Sequence, residues 1–318
     1  MTRTIDLETV SFLRDLAIVD AHHHYWDLSG PVAYPWLQTP PFLAFRYGNY
    51  GAIRKNYLPE DYRHDHGAHR IVADVHMEAE PRHGMACAEI DWLASLGEVA
   101  PRAAAAQIWL DGDDLDDQLK ELARRPLVRS VRHKPKALPR EEARRGAAGS
   151  MDDPKWRDGY ARLAATSLHF ELQTPWWHLD AAADLARDFP KTRIILNHCG
   201  LPAQRSDEGL AAWRAAIVRF ADLENTVVKL SGIGLAPGIW PEEQNIRILR
   251  ELITIFGPGR AMFASNFPVD RLCISFAAMF SAYKRAVHDL PRPDIVSLFS
   301  ACAAATYGLD IGEISVER

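Results

Sequence analysis

The sequence predicts an α/β chain folded as a single (β/α)8 barrel over residues 1–318. Eight short runs rich in β-branched and apolar residues recur, at 17–24, 71–79, 104–110, 128–133, 169–174, 193–198, 226–231 and 261–266. The stretches between them carry apolar residues at helical spacing, as in Ala88, Ile90, Trp92, Leu93 and Leu96. Strand–helix alternation implies a parallel sheet, and closure is the economical arrangement of eight such units. The length also suits one domain, because barrels of about 250 residues or more commonly form a single unit.

In such a barrel, polar residues at the C-terminal strand ends build the site, so each run is read for what ends it. The first ends in Asp20-Ala21-His22-His23-His24. Side chains two apart on a strand share a face, so His22 and His24 point together and His23 points away. Two converging imidazoles suit zinc, iron or nickel. The segment 27–63 that follows is dense in proline and aromatic residues and is read as a lid insertion over the barrel mouth, with Trp26 and Trp36 as walls. In the second run His76, Glu78 and Glu80 share a face, and Glu78 is a candidate metal ligand or base.

The fourth run ends in Arg132, His133 and Lys134. Arg132 is a candidate carboxylate clamp, and His133 either a substrate contact or a hydrogen-bonded strand end. His169 opens the fifth run, at the face away from the site, and reads as structural. Trp176, Trp177 and His178 follow that run, with His178 a candidate for facing the site. The sixth ends in His198 before Gly200 and Pro202. Lys229 interrupts the apolar seventh run and needs a buried partner. The eighth ends in Asn266, with Pro268 and Asp270 close behind.

Composition narrows the class. The net charge is −5 and no dense Lys/Arg stripe exists, which argues against nucleic acid. No apolar run reaches the ~18 residues of a membrane span, and the N-terminus lacks the pattern of a signal peptide. The 4 cysteines form no CxxC pair, which suits a reducing cytoplasm.

Taken together, DAHHHYWD at 20–27, YPWL at 34–37, YLPEDYR at 57–63, VRH at 131–133, NHCGLP at 197–202, VVKLSG at 227–232 and ASNFPVD at 264–270 resemble the amidohydrolase superfamily. The branch is the amidohydrolase-2 one, with sugar-lactone hydrolases and 2-pyrone-4,6-dicarboxylate lactonase, and the likeness covers nearly the whole chain. The resemblance implies that His22, His24 and His198 hold a divalent metal or polarise the substrate carbonyl directly, and that Arg132 matches the family's fourth-strand arginine. It implies a small-molecule substrate, anionic or polyhydroxylated, with a lactone or related cyclic ester favoured.

One departure matters. Lactonases of this branch carry an aspartate where this chain has Asn266, and an amide cannot take a proton at neutral pH. Asp270 and Glu78 are the acids left to serve as base. The rival readings are an iron- or manganese-dependent oxygenase or decarboxylase on the same scaffold, and a non-catalytic partner subunit that pairs with a related chain. Zinc fits the hydrolase, and metal-free members of the family exist. Oligomerisation, as a homo-oligomer or a heteromer, is left open.

Overall fold

A computed structural model describes residues 7–42 and 44–312. Eight strands form one parallel sheet in the order of the chain: β1 Ile18–His23, β2 Ile71–Met77, β3 Ala103–Gln107, β4 Val128–Arg132, β5 His169–Leu172, β6 Ile194–Leu196, β7 Thr226–Leu230 and β8 Ala261–Phe263. The first and last edges meet through two backbone bonds, Asn266 N–H to the His22 carbonyl at 2.7 Å and His24 N–H to the Phe267 carbonyl at 2.7 Å. These join the β1 end to the segment after β8, and the barrel closes at its C-terminal face, where the candidate residues lie.

Helices cover the outside because each presents one apolar stripe to the strands. The helix Glu242–Phe256 buries Ile248, Leu249, Leu252, Ile253 and Phe256, at helical spacing, and stops at Gly257, whose φ is 73°. The helix Asp207–Ala221 begins where the Ser206 hydroxyl accepts from Gly209 N–H. Inside the barrel, Val19, Ala21, Ala73, Val75, Ile195, Val227 and Met262 pack together, and Tyr307 of the last helix joins them.

The strands are shorter than the apolar runs suggest. β6 stops at Leu196 and β8 at Phe263 because the chain leaves the pleat there. Glu80, His198, Cys199, Leu201 and Asn266 adopt positive φ, and three of these five line the pocket at the barrel mouth described below. For residues with a Cβ that conformation is strained, and strain of this kind clusters at functional sites.

β1 carries an irregularity that sets the site. Asp20 pairs with Asp74, but His23 pairs with His76, so β1 has one residue more than β2 between these points. This bulge reverses the alternation. Val19 and Ala21 face the interior, and without the bulge His23 would follow them. Instead His22 and His24 turn to the barrel mouth. His23 turns outward, its Nε2 2.8 Å from the Asp74 carboxylate.

Candidate active site

The floor of the mouth is built from three histidines and an amide. His22 Nε2 and His24 Nε2 stand 3.3 Å apart, and the rings of His22 and His198 have centroids 4.6 Å apart. Asn266 Oδ1 lies 3.4 Å from His24 Nε2. His24 Nδ1 donates to the Met77 carbonyl at 2.9 Å, which leaves its Nε2 as a lone pair facing the cluster. His198 Nδ1 meets the Ser231 hydroxyl at 3.0 Å. Gly232 makes room for that ring: with φ at 66°, an added Cβ would lie 2.3 Å from His198 Nδ1. His22 Nδ1 is buried without a partner.

Burial pushes His22, His24 and His198 well below the ordinary histidine range, and the surrounding cations add to the shift. For His22 the strongest of these is Lys229, buried and paired with Glu171 at 2.9 Å. Burial lowers Lys229 itself to about 8. The three imidazoles are therefore neutral at pH 7, each with one ring nitrogen able to accept. Among the described residues, no three His, Cys, Asp or Glu side chains are gathered as a ready cation cage. The His22–His24 pair does match one: two nitrogens at ~2.0–2.1 Å from a tetrahedral zinc lie ~3.3 Å apart. His198 and the Asn266 oxygen flank that pair, so the donor set fits a divalent cation and brings no negative charge of its own.

Asn266 is held by Asp270. Its Nδ2 donates to Asp270 Oδ1 at 2.7 Å, since a carboxylate can only accept, and this aims Oδ1 at His24. Asp270 also accepts from the Tyr47 hydroxyl at 2.9 Å and from Gly232 N–H at 3.1 Å. It is buried and does not line the pocket. Burial raises its carboxyl, opposed by Arg46 and these donors. It is held by three donors and has no face on the cavity, so it serves as an anchor and not as an accessible base.

Glu78 does line the pocket, a cavity of about 280 Å3. Its Oε1 accepts from Arg132 Nε at 2.5 Å, and its Oε2 from Glu80 N–H at 2.7 Å. Burial pushes this carboxyl upward, and Arg132 opposes the shift. The pairing changes the expectation for Arg132. The guanidinium reaches the pocket wall, but Nη2 donates to the Glu78 carbonyl at 2.8 Å and Nη1 to Gln173 at 3.3 Å. The fork expected to clamp a substrate carboxylate is already occupied, because the end of β2, two strands away, presents both a carboxylate and a carbonyl to it.

Other expected contacts stand elsewhere. His133 Nδ1 accepts from Leu110 N–H and from Trp156 Nε1, both at 3.1 Å, and the ring sits outside the lining. His178 Nε2 meets the Leu138 carbonyl at 3.0 Å, in the loop after β4, and the ring does not line the pocket. Trp26 is fully buried, its Nε1 donating to the Lys55 carbonyl at 2.6 Å, so it backs the His24 ring and does not form the wall. His76 does not join Glu78. Its Nδ1 accepts from Tyr25 N–H at 3.2 Å and its Nε2 faces Glu89 at 3.7 Å.

The segment 27–63 contributes Trp36, Phe45, Arg46 and Tyr50 to the lining. Trp36 stacks on Phe45 with 6.1 Å between centroids and an interplanar angle of 14°, and its Nε1 donates to the Ala79 carbonyl at 2.8 Å. Arg46, Lys134 and Gln173 also line the pocket, and sequence reasoning alone does not reach them as site residues. Lys134 carried a signal, as the third cation of the fourth strand end. Arg46 carried none, because only the path of the loop brings it over the mouth.

The comparisons agree with this architecture. The sequence profile of the amidohydrolase family matches residues 19–309. The chain is 32% identical over 303 residues to the uncharacterized protein y4mH of Sinorhizobium fredii, covering 93% of this chain and 99% of that one. It is 28% identical over 310 residues to an L-fucono-1,5-lactonase of Burkholderia multivorans, covering 92% and 96%. A crystal structure of a Burkholderia multivorans amidohydrolase with bound zinc superposes with a TM-score of 0.74 at 24% identity, over 92% of this chain and 100% of the other.

Proposed function

Because this chain belongs to the amidohydrolase family and is a hydrolase of that superfamily, we propose that it opens a small lactone bearing carboxylate or hydroxyl groups. The observation that carries this reading is the convergence of His22, His24, His198 and Asn266, all presenting acceptors, beneath a pocket edged by Arg46 and Lys134. A lactone ring fits the cavity of about 280 Å3; Lys134 is paired with Glu80 there, so Arg46 is the cation that favours an anionic or oxygen-rich substituent.

His22, His24 and His198 are the residues that would hold a divalent metal. Such an ion would supply Lewis acidity toward the ring carbonyl and lower the pKa of a bound water to about 7. The chain's own residues handle the proton. Glu78 faces the same cavity, and burial raises its carboxyl toward the range of a working base. It takes a proton as water adds to the carbonyl carbon. The ring C–O bond then breaks, and the departing alkoxide receives that proton, leaving an open-chain hydroxy acid. Asn266 orients the water through Oδ1 while Asp270 holds the amide still.

The test is a panel of 1,5-lactones of sugar acids and of carboxylated lactones, followed by proton release, with the purified protein as isolated, after chelation, and after addition of zinc or manganese. Turnover lost in His22→Ala and His24→Ala supports the reading. No turnover on any member under any metal condition refutes it.

A further inference from the structure

Beside the candidate active site lies a second cavity of about 450 Å3. Arg46 lines both, and Gly232 in the wall of the second cavity packs against the His198 ring that lines the first. The walls of the second cavity are apolar, from Trp177, Leu201, Ile233 and Leu235 among others, and its charged lining residues are Arg46 and Arg205. Trp177 is fixed there by Nε1 donating to the Leu138 carbonyl at 2.9 Å.

Both guanidinium groups have donors to spare. Arg205 Nη2 donates to the Ile233 carbonyl at 2.8 Å and to Asn245 Oδ1 at 3.1 Å, both neutral partners, while its Nε and Nη1 are buried without any. Arg46 Nη1 is likewise buried without a partner, and the carboxylate nearest its Nη2, Asp270, is 3.9 Å away with its oxygens already engaged. Arg205 is half-buried with two of its nitrogens shut off from water and only neutral partners on the third, an arrangement that favours a ligand able to supply the counter-charge. An apolar chamber ending in such a cation has the chemistry to take an apolar carboxylate.

We propose that this chamber binds the far end of the substrate, an aliphatic or aromatic arm ending in a carboxylate that pairs with Arg205, while Arg46 spans the junction between arm and ring. This rests on the lactone reading above and extends it: the substrate is a two-part molecule, with a ring at the histidine floor and an acidic apolar arm beyond Gly232.

Calorimetric binding of 3-phenylpropanoate, with the uncharged 3-phenylpropanamide as control, tests the chamber without requiring turnover. The native protein should bind the acid one to one and the amide at least about tenfold more weakly. Arg205→Met should lose a similar factor for the acid. Leu235→Trp, which fills the chamber and leaves Arg205 in place, should weaken acid and amide together, and it carries the test if Arg205→Met does not fold. Equal binding of acid and amide, or affinity unchanged in the folded variants, overturns the proposal. A panel of lactones with and without an acidic apolar arm separates the two readings. Arginine-dependent binding with no lactone turned over removes the hydrolysis reading and keeps the chamber. Turnover indifferent to the arm, with no binding of the acid, does the reverse.

Discussion

Replacing Asn266 by aspartate restores the residue usual in the related lactonases, and the structure says what that should cost. Asn266 Nδ2 donates to Asp270 Oδ1 at 2.7 Å, inside a fully buried pair. In Asn266→Asp a second carboxylate stands at that distance. Two like charges so placed repel by about 6 kcal/mol at an effective dielectric of about 20. The folded protein escapes by keeping one proton. Holding a proton on a group of ordinary pKa near 4 costs roughly 4 kcal/mol at pH 7 and roughly 1.4 kcal/mol at pH 5. The sign follows from linkage. The variant's shared carboxyl has a folded pKa above its unfolded value, so the native state binds more protons and stability falls as pH rises. Thermal melts at pH 5, 6, 7 and 8 should show the variant's deficit against the parent growing by up to about 1.4 kcal/mol per unit. With the entropy of unfolding expected for this length, a deficit of roughly 4 kcal/mol lowers Tm by about 6 °C at pH 7. Zinc should shrink the gap, because a cation between His24 and the new carboxylate replaces the proton. A deficit that stays constant from pH 5 to 8, and that zinc leaves untouched, would refute both the hydrogen-bond assignment and the argument that the floor is short of negative charge.

Glu78→Gln should lower kcat by roughly 10²–10⁴-fold on any confirmed substrate. In the parent, activity should rise with pH through a step above the ordinary carboxylate range, because burial raises Glu78 and only the ionised form accepts a proton; the variant should lose that step in a pH–rate profile. Arg132→Met should act on stability more than on KM, costing about 3–5 kcal/mol in denaturant unfolding, since it leaves Glu78 buried without its partner; a large KM change at unchanged stability would contradict this. Gly232→Ala should displace His198, whose Nδ1 would lie 2.3 Å from the new Cβ, and cut kcat/KM by about 10²-fold or more; unaltered kinetics would show that the ring has room to move.

Local chemistry determined much of this protein from sequence alone. Apolar runs separated by amphipathic stretches require strands and helices, because each must bury its own face. Eight such units in series leave few topologies, so the barrel and the level of the site within it were legible. The shared face of His22 and His24 was legible too, because it depends on two neighbouring residues and the period of a strand. Which way that face points was not. Val19 and Ala21 fill the interior, and only the extra residue between Asp20 and His23 relative to β2 turns the histidine pair to the mouth. A bulge is a relation between two strands, and neither strand's sequence contains it. The same reason separates Arg132 from its expected role, because its donors are spent on Glu78, 54 positions away in the chain. It also brings in Arg46, which reaches the site only because 27–63 folds back over the barrel and carries Trp36 and Phe45 with it. Pairings of this kind cross long stretches of chain and are decided when the barrel closes, so only the tertiary structure could assign them.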